Sequence, residues 1–309
     1  MPRHQRIAFD KPPLSFKNQV DKLKLHGLNI PDPDKAEFYL SQLNYYRFSA
    51  YCLPFEQDHA THAFQANTSF DDVLNLYIFD RELRLLVLDA IERFEVSLRT
   101  QLAYHLSHNH NTAHPHLDPL VFHSRSIYDV SLKNLTDEVT RSREDFIRHL
   151  QQKYSESLPP IWAAVELMTI GQLSKWLSNI KKRRDRQDIA RFYQIDESIL
   201  TSFCKHLTHV RNYSAHHARL WNRGFTLTMQ IPRKGQQSLI QSFDSSNLRG
   251  QQQRKLYNTL VMLLHLMNIM NPHHSWGQRL FELINHHQID CNKMGFPRDW
   301  KARAIWDIK

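Results

Sequence analysis

An all-α fold is predicted by three features of this 309-residue chain: apolar residues recurring at three- and four-residue spacing, capping residues ahead of those runs, and only 7 glycines. The length allows one large domain or a core with a smaller appendage. We expect a small N-terminal helical extension over residues 1–68 and a helical core, with additional C-terminal helices, over 69–309.

Taken in order, Ser15 can cap a first helix that Gly27 closes. After P-D-P-D, Asp34 and Glu37 form an acidic variant of a capping box, opening a helix that runs through F-Y-L-S-Q-L-N-Y-Y-R-F and stops before Pro54. Ser69, with Asp71 and Asp72 behind it, starts the longest helix. Its buried stripe is Leu76, Phe79, Leu83, Val87, Ala90, Phe94, Leu98 and Leu102, and Glu95 can pair with Arg99 on another face. The histidine-rich stretch from His105 to His116 reads as a polar surface loop without metal-ligand spacing.

A polar helix is expected from about Ser131 to Tyr154, then a helix through I-W-A-A-V-E-L-M-T-I that Gly171 bends or interrupts. A short helix near Asp188–Tyr193 precedes one opened by Asp196. F-T-L-T-M-Q-I alternates like a strand, Pro232–Ser246 reads as a loop, and two helices complete the chain. The apolar run from Leu256 is too short to span a bilayer and is expected to be a buried helix.

The net charge of +9 favours polyanionic partners, nucleic acid before a membrane surface. Cys52, Cys204 and Cys291 are scattered, which argues for a reducing compartment and against a disulfide framework or cysteine zinc site. Met1–Asp10 has no apolar leader core, so a soluble, cytoplasmic protein is expected, with no membrane partner, metal or other cofactor.

The densest chemistry lies in V-R-N-Y-S-A-H-H-A-R-L-W-N-R, Val210 to Arg223. At roughly 100° per residue, His209, Asn212, His216 and Arg219 share one face, while Val210, Ser214, His217 and Trp221 share a more apolar one. His216 is therefore expected among polar groups and His217 as a hydrogen-bonded core residue. Arg211 lies about 140° from His216 on a regular helix. Convergence needs a reaching side chain, a distorted helix end or a second protomer, and Ser214, Ala215 and Ala218 are small enough to admit another helix. These residue types suit RNA transesterification, with an imidazole moving the 2′-OH proton and a guanidinium holding the phosphate. A water-facing helix of Arg, Asn and His is the bland alternative.

R-N-Y-S-A-H-H-A-R-L-W-N-R resembles the signature of abortive-infection proteins of the AbiD/AbiF type, whose core is similar to HEPN domains. Arg211, Asn212 and His216 match the R-x(4–6)-H motif of HEPN ribonucleases, and His217 also fits its spacing. Y-L-S-Q-L-N-Y-Y-R-F-S-A-Y, L-Y-I-F-D-R-E-L-R, I-E-R-F-E-V-S-L-R-T, I-W-A-A-V-E-L-M-T-I-G-Q-L-S-K and M-G-F-P-R-D-W resemble family landmarks in family order, from about Gln19 to Trp306. The resemblance implies a HEPN-like helical bundle acting as a metal-independent, homodimeric endoribonuclease of bacterial growth arrest. It also implies control by an inhibitory small RNA or an antitoxin protein. Arg211 and His216 would be catalytic, Asn212 would orient the site, and Arg219 would contact phosphate.

Around that motif, Glu166 could pair with Arg211 or make a structural salt bridge elsewhere. Lys181, Lys182, Arg183 and Arg184, in K-K-R-R-D-R, could track an RNA backbone together with Arg223, or form a solvated helix end. Tyr45 and Tyr46 could stack on bases but are expected in the core. Two rivals stand beside the nuclease: a noncatalytic RNA-binding or assembly module, and a helical DNA-binding regulator.

Overall fold

The computed structural model describes residues 12–244 and 254–307, which contain thirteen α-helices and one two-stranded antiparallel hairpin. The Met1–Asp10 stretch read for a leader lies outside the described residues. Among those described, no helix is long and apolar enough to cross a membrane. The chain is all-α and divides into two compact units, up to Asp80 and from Arg81.

The first unit holds α1 (Phe16–Leu25), α2 (Pro33–Gln42), α3 (Tyr45–Cys52), β1 (Glu56–Asp58), β2 (Ala63–Phe64) and the opening turns of α4 (Phe70–His110). Ser15 caps α1, and Gly27 at φ 90° closes it as expected. Asp32, rather than Asp34, caps α2: its side chain accepts from Lys35 N–H, and Pro33 occupies the first helical position where no N–H is needed. The helix foreseen up to Pro54 is two helices, because Leu43 turns extended and the Asn44 side chain accepts from Tyr46 N–H to cap a new start. Tyr46 is exposed rather than in the core, and Tyr45 is half-buried. The hairpin had no clear sequence signature. Ser69 and Asp72 form the reciprocal cap at the start of α4, and Phe48 stacks on Phe70 at 4.8 Å.

The second unit continues α4 and adds α5 (Arg125–Arg141), α6 (Asp145–Lys153), α7 (Ile161–Ala164), α8 (Ile170–Asn179), α9 (Arg183–Phe192), α10 (Glu197–Ala215), α11 (Gln237–Ser242), α12 (Tyr257–Met270) and α13 (Trp276–His287). The whole α4 stripe named above is buried. Every residue of α12 from Tyr257 to Met267 is buried too, the all-round apolar helix of a core centre. Trp276 donates from Nε1 to Leu86 O at 2.7 Å, tying α13 to α4.

Several expected elements differ, each for a local reason. The single polar helix is split into α5 and α6 at Ser142, whose hydroxyl accepts from Glu144 N–H and competes with the helix ladder. The break before α8 falls at Met168–Thr169, not at Gly171, because Thr169 and Gln172 make a capping box that starts a fresh helix. The stretch 225–231 is not a strand: its backbone pairs with α10 side chains and with Arg254 O instead of a sheet neighbour. Within 232–246, Gln237–Ser242 is helical. The helix α4 runs through His105, His108 and His110, so these are not on a surface loop. His110 meets Asp185 at 2.9 Å and Asn109 donates to both Asp185 and Asp188, docking the end of α4 on α9, while His116 is buried.

Gly171 lies inside α8 where that helix meets α10. A Cβ there would sit 3.1 Å from Thr208 Cγ2. Gly171→Leu should therefore cost about 1–3 kcal/mol in urea unfolding, and adding Thr208→Ala should recover part of the loss. Equal stability of Gly171→Leu and the parent would show that the helices are not this close.

Candidate functional site

Helix α10 carries the candidate site, and its inner face explains why it is held rigidly. Phe203, Cys204, Leu207 and Val210 are buried along it. His206 sits between them as a polar clamp: Nδ1 lies 2.7 Å from Leu227 O and Nε2 2.8 Å from Thr259 Oγ1. A carbonyl can only accept, so Nδ1 carries the proton and Nε2 accepts from the threonine hydroxyl. Burial pushes the His206 pKa down to about 4, which keeps the ring neutral. Helix α10, the 225–231 segment and α12 are joined through that one ring.

The helix ends at Ala215, eight residues before the limit assumed from the sequence. Ala218 N–H donates to Tyr213 O at 2.8 Å and His217 N–H to Ser214 O at 3.2 Å, the hydrogen-bond pair of a Schellman turn. His217 takes the left-handed position, φ 58°, where glycine is usual. This overturns the core reading of His217. With the helix stopped, its side chain is exposed rather than rotated onto the apolar face. His209, Asn212 and His216 are exposed together as the helical wheel required. Ser214 is buried, donating to Val210 O, so it is not available to another helix; Ala215 and Ala218 are half-buried.

Arg211 lies half-buried in the last turn of α10, and its Nη1 donates to Asn212 Oδ1 at 3.3 Å. Among the described residues it makes no ion pair. Glu166 does not serve it: that carboxylate is bound by Arg99 at 3.2 Å, because Glu166 lies on the turn between α7 and α8, facing α4. Arg99 holds Glu95 at 2.7 Å as well, so the foreseen α4 pair is formed.

Beyond the helix end, the Arg223 guanidinium lies over the Tyr213 ring at 4.1 Å and its Nε donates to Arg219 O. Neither arginine is on a helix, so the single face expected to hold Arg219 with His216 does not extend that far. Trp221 is buried through this turn rather than by helical rotation. Lys255 donates to Asn222 O and Oδ1 at 3.1 and 2.6 Å. Burial, then the Lys293 and Arg219 charges, lowers the Lys255 pKa. Lys255 and Lys293 were invisible to a local reading of the motif, because 36 and 74 residues separate them from Arg219.

The basic run opens α9 instead of closing a helix, where the macrodipole disfavours cations. Carboxylates offset this. Glu197 binds Arg183 Nε at 3.1 Å and Arg186 Nε at 2.9 Å, and Arg186 also donates to Ile180 O. Arg184 is loosely paired with Asp188 at 4.0 Å, while Lys181 and Lys182 stand exposed before α9. The three thiols are poor nucleophile candidates: burial pushes all of them up, Cys291 to about 11.

A family model described as Abi-like protein matches residues 38–222, more than half of the chain and the whole of α10 with its turn. The chain belongs to the Abi-like protein family. The match stops before M-G-F-P-R-D-W, so that landmark lies outside the matched range. No curated protein and no solved structure matches the chain.

The His206 clamp gives the Abi-like chain a defined acid sensitivity. A neutral histidine with a folded pKa of about 4 and an ordinary value of 6.5 binds its proton more readily when unfolded. Stability should fall as pH drops from about 6.5 towards 4, with buried His116, also pushed down to about 4, adding to the slope. His206→Gln should lower the melting temperature at pH 7 and flatten its decline between pH 7 and 4.5. An unchanged slope would show that His206 does not bear the buried neutral ring.

Proposed function

We propose that the protein is a metal-independent endoribonuclease of abortive infection, built on a HEPN-like core and acting as a homodimer. The observation that carries this reading is the end of α10, where Arg211 has no carboxylate partner among the described residues and His216 and His217, which close the same helix, are both exposed. The family membership and the R-x4-H spacing support it. Helix α10 is regular up to its cap at His216, so the two routes left for Arg211 and His216 to serve one phosphate are the reach of the long Arg211 side chain and a second protomer.

In this reaction a neutral imidazole takes the proton of a ribose 2′-OH, and the 2′ oxygen attacks the adjacent phosphorus. The phosphorus–O5′ bond breaks, O5′ receives a proton, and the products are a 2′,3′-cyclic phosphate and a 5′-hydroxyl. Arg211 stabilises charge on the nonbridging oxygens, and the Asn212 amide oxygen holds that guanidinium in place. Two copies of the motif in a homodimer would provide a second imidazole for the leaving oxygen. Arg219 assists at the phosphate, and a small RNA or antitoxin protein restrains the enzyme.

The test is cleavage of mixed tRNA and single-stranded RNA in EDTA. The parent should leave 2′,3′-cyclic ends, and Arg211→Ala and His216→Ala should each reduce the rate by about 10²–10⁴-fold. RNA bound by all three proteins but cut by none would favour the noncatalytic module.

His217→Gly separates the two histidines. Glycine fits φ 58° without strain, so it should stabilise the chain by about 0.5–1 kcal/mol and keep cleavage. A stabilised but inactive His217→Gly would transfer the proton-moving role from His216 to His217.

A further inference from the structure

A polar groove of about 650 Å³ lies between the loop at His123, the α8–α9 connection and the outer face of α10. Its cations are Lys181, Arg186 and Lys205, and its carboxylate, Glu197, has both oxygens occupied by Arg183 and Arg186. Lys181 and Lys205 are exposed and make no ion pair among the described residues. Ser202 Oγ accepts from Gln230 N–H at 2.6 Å, which leaves its O–H directed to no acceptor among the described residues. The groove thus presents two uncompensated ammonium groups and a hydroxyl donor, a combination suited to phosphate oxygens and poorly suited to an apolar ligand.

The walls are pre-organised. His123 N–H donates to Asn179 O and Lys181 N–H to Val121 O, both at 2.8 Å. The buried Asn179 side chain accepts from Ser124 N–H and donates to Ser124 O. The backbones carrying His123 and Lys181 are therefore fixed against each other before anything binds.

The floor of the groove leads to the signature. Thr201, Lys205, His209, Asn212 and His216 follow at i+4, i+4, i+3 and i+4, which puts them in one stripe about 80° wide on α10. Thr201 lines the groove and is half-buried; the other four are exposed. From Lys205 to His216 the helix rises about 16 Å, a distance that a few nucleotides cover.

We propose that this groove binds the phosphate backbone of a single-stranded RNA and leads it along α10 to Arg211 and His216. The proposal rests on the ribonuclease reading for its substrate. It is tested by binding alone, so the two can fail separately.

The experiment measures the affinity of the full-length Arg211→Ala chain for a fluorescent single-stranded RNA across a salt series. Adding Lys181→Ala and Lys205→Ala should weaken binding about tenfold and reduce the slope of log K against log salt by about 1.4, two single-strand phosphate contacts. Lys133→Ala with Lys153→Ala removes the same charge from α5 and α6 and should leave most of the affinity; unchanged circular dichroism of both pairs excludes unfolding. Equal weakening by the two pairs, or none by the groove pair, would overturn the groove while leaving the nuclease standing. Groove-dependent binding without cleavage by the Arg211-intact chain would keep the groove and count against the enzyme. A groove-dependent preference for duplex DNA, or no RNA binding by any variant, would overturn the proposal.

Discussion

Two backbone hydrogen bonds, from Ala218 N–H to Tyr213 O and from His217 N–H to Ser214 O, stop α10 at Ala215. Had the helix continued to Arg223, His217 would have been carried towards the apolar face, and Arg219 would have joined the His216 face. The turn instead leaves two adjacent histidines exposed and folds Trp221 inward. It also brings Arg223 over Tyr213 and Lys255 against Asn222. A histidine holds the left-handed position there, where glycine would end the helix with less strain.

A helix end can position reactive groups only if the helix itself is fixed. Here the support comes from behind: buried Phe203, Leu207 and Val210, close approach to α8 at Gly171, and the neutral His206 ring bonded on both nitrogens. One α10 face is thus committed to packing and the opposite one to solvent. The committed face carries the buried neutral His206 ring, and the solvent face runs from the groove to the signature.

The sequence showed the apolar stripe of α4 and the burial of α12 well, because both are set by periodicity over many residues. It also showed the exposed set His209, Asn212 and His216, which lies within the regular helix or at its cap. It failed where short-range capping overrode periodicity. Asn44 and Ser142 each ended or restarted a helix through one side-chain hydrogen bond, and Thr169 did so through the reciprocal pair of its capping box with Gln172. The end at Ala215 was hidden because the left-handed residue is histidine, so no glycine marked it. Partners distant in sequence were hidden as well. Glu166 with Arg99, Asp185 with His110 and Lys255 with Asn222 are products of tertiary packing. Lys205 was legible in principle, since its spacing to His209 and Asn212 repeats the helical period.

The chemistry proposed for the end of α10 requires a ribose hydroxyl, and that requirement can be tested without any variant. The parent protein would be incubated with one RNA and with a 2′-O-methyl copy of the same sequence, following cleavage and binding together. The account predicts that both bind and that only the unmodified RNA is cut. Cleavage of both would contradict transesterification at Arg211 and His216, because the methylated strand has no 2′ proton to remove.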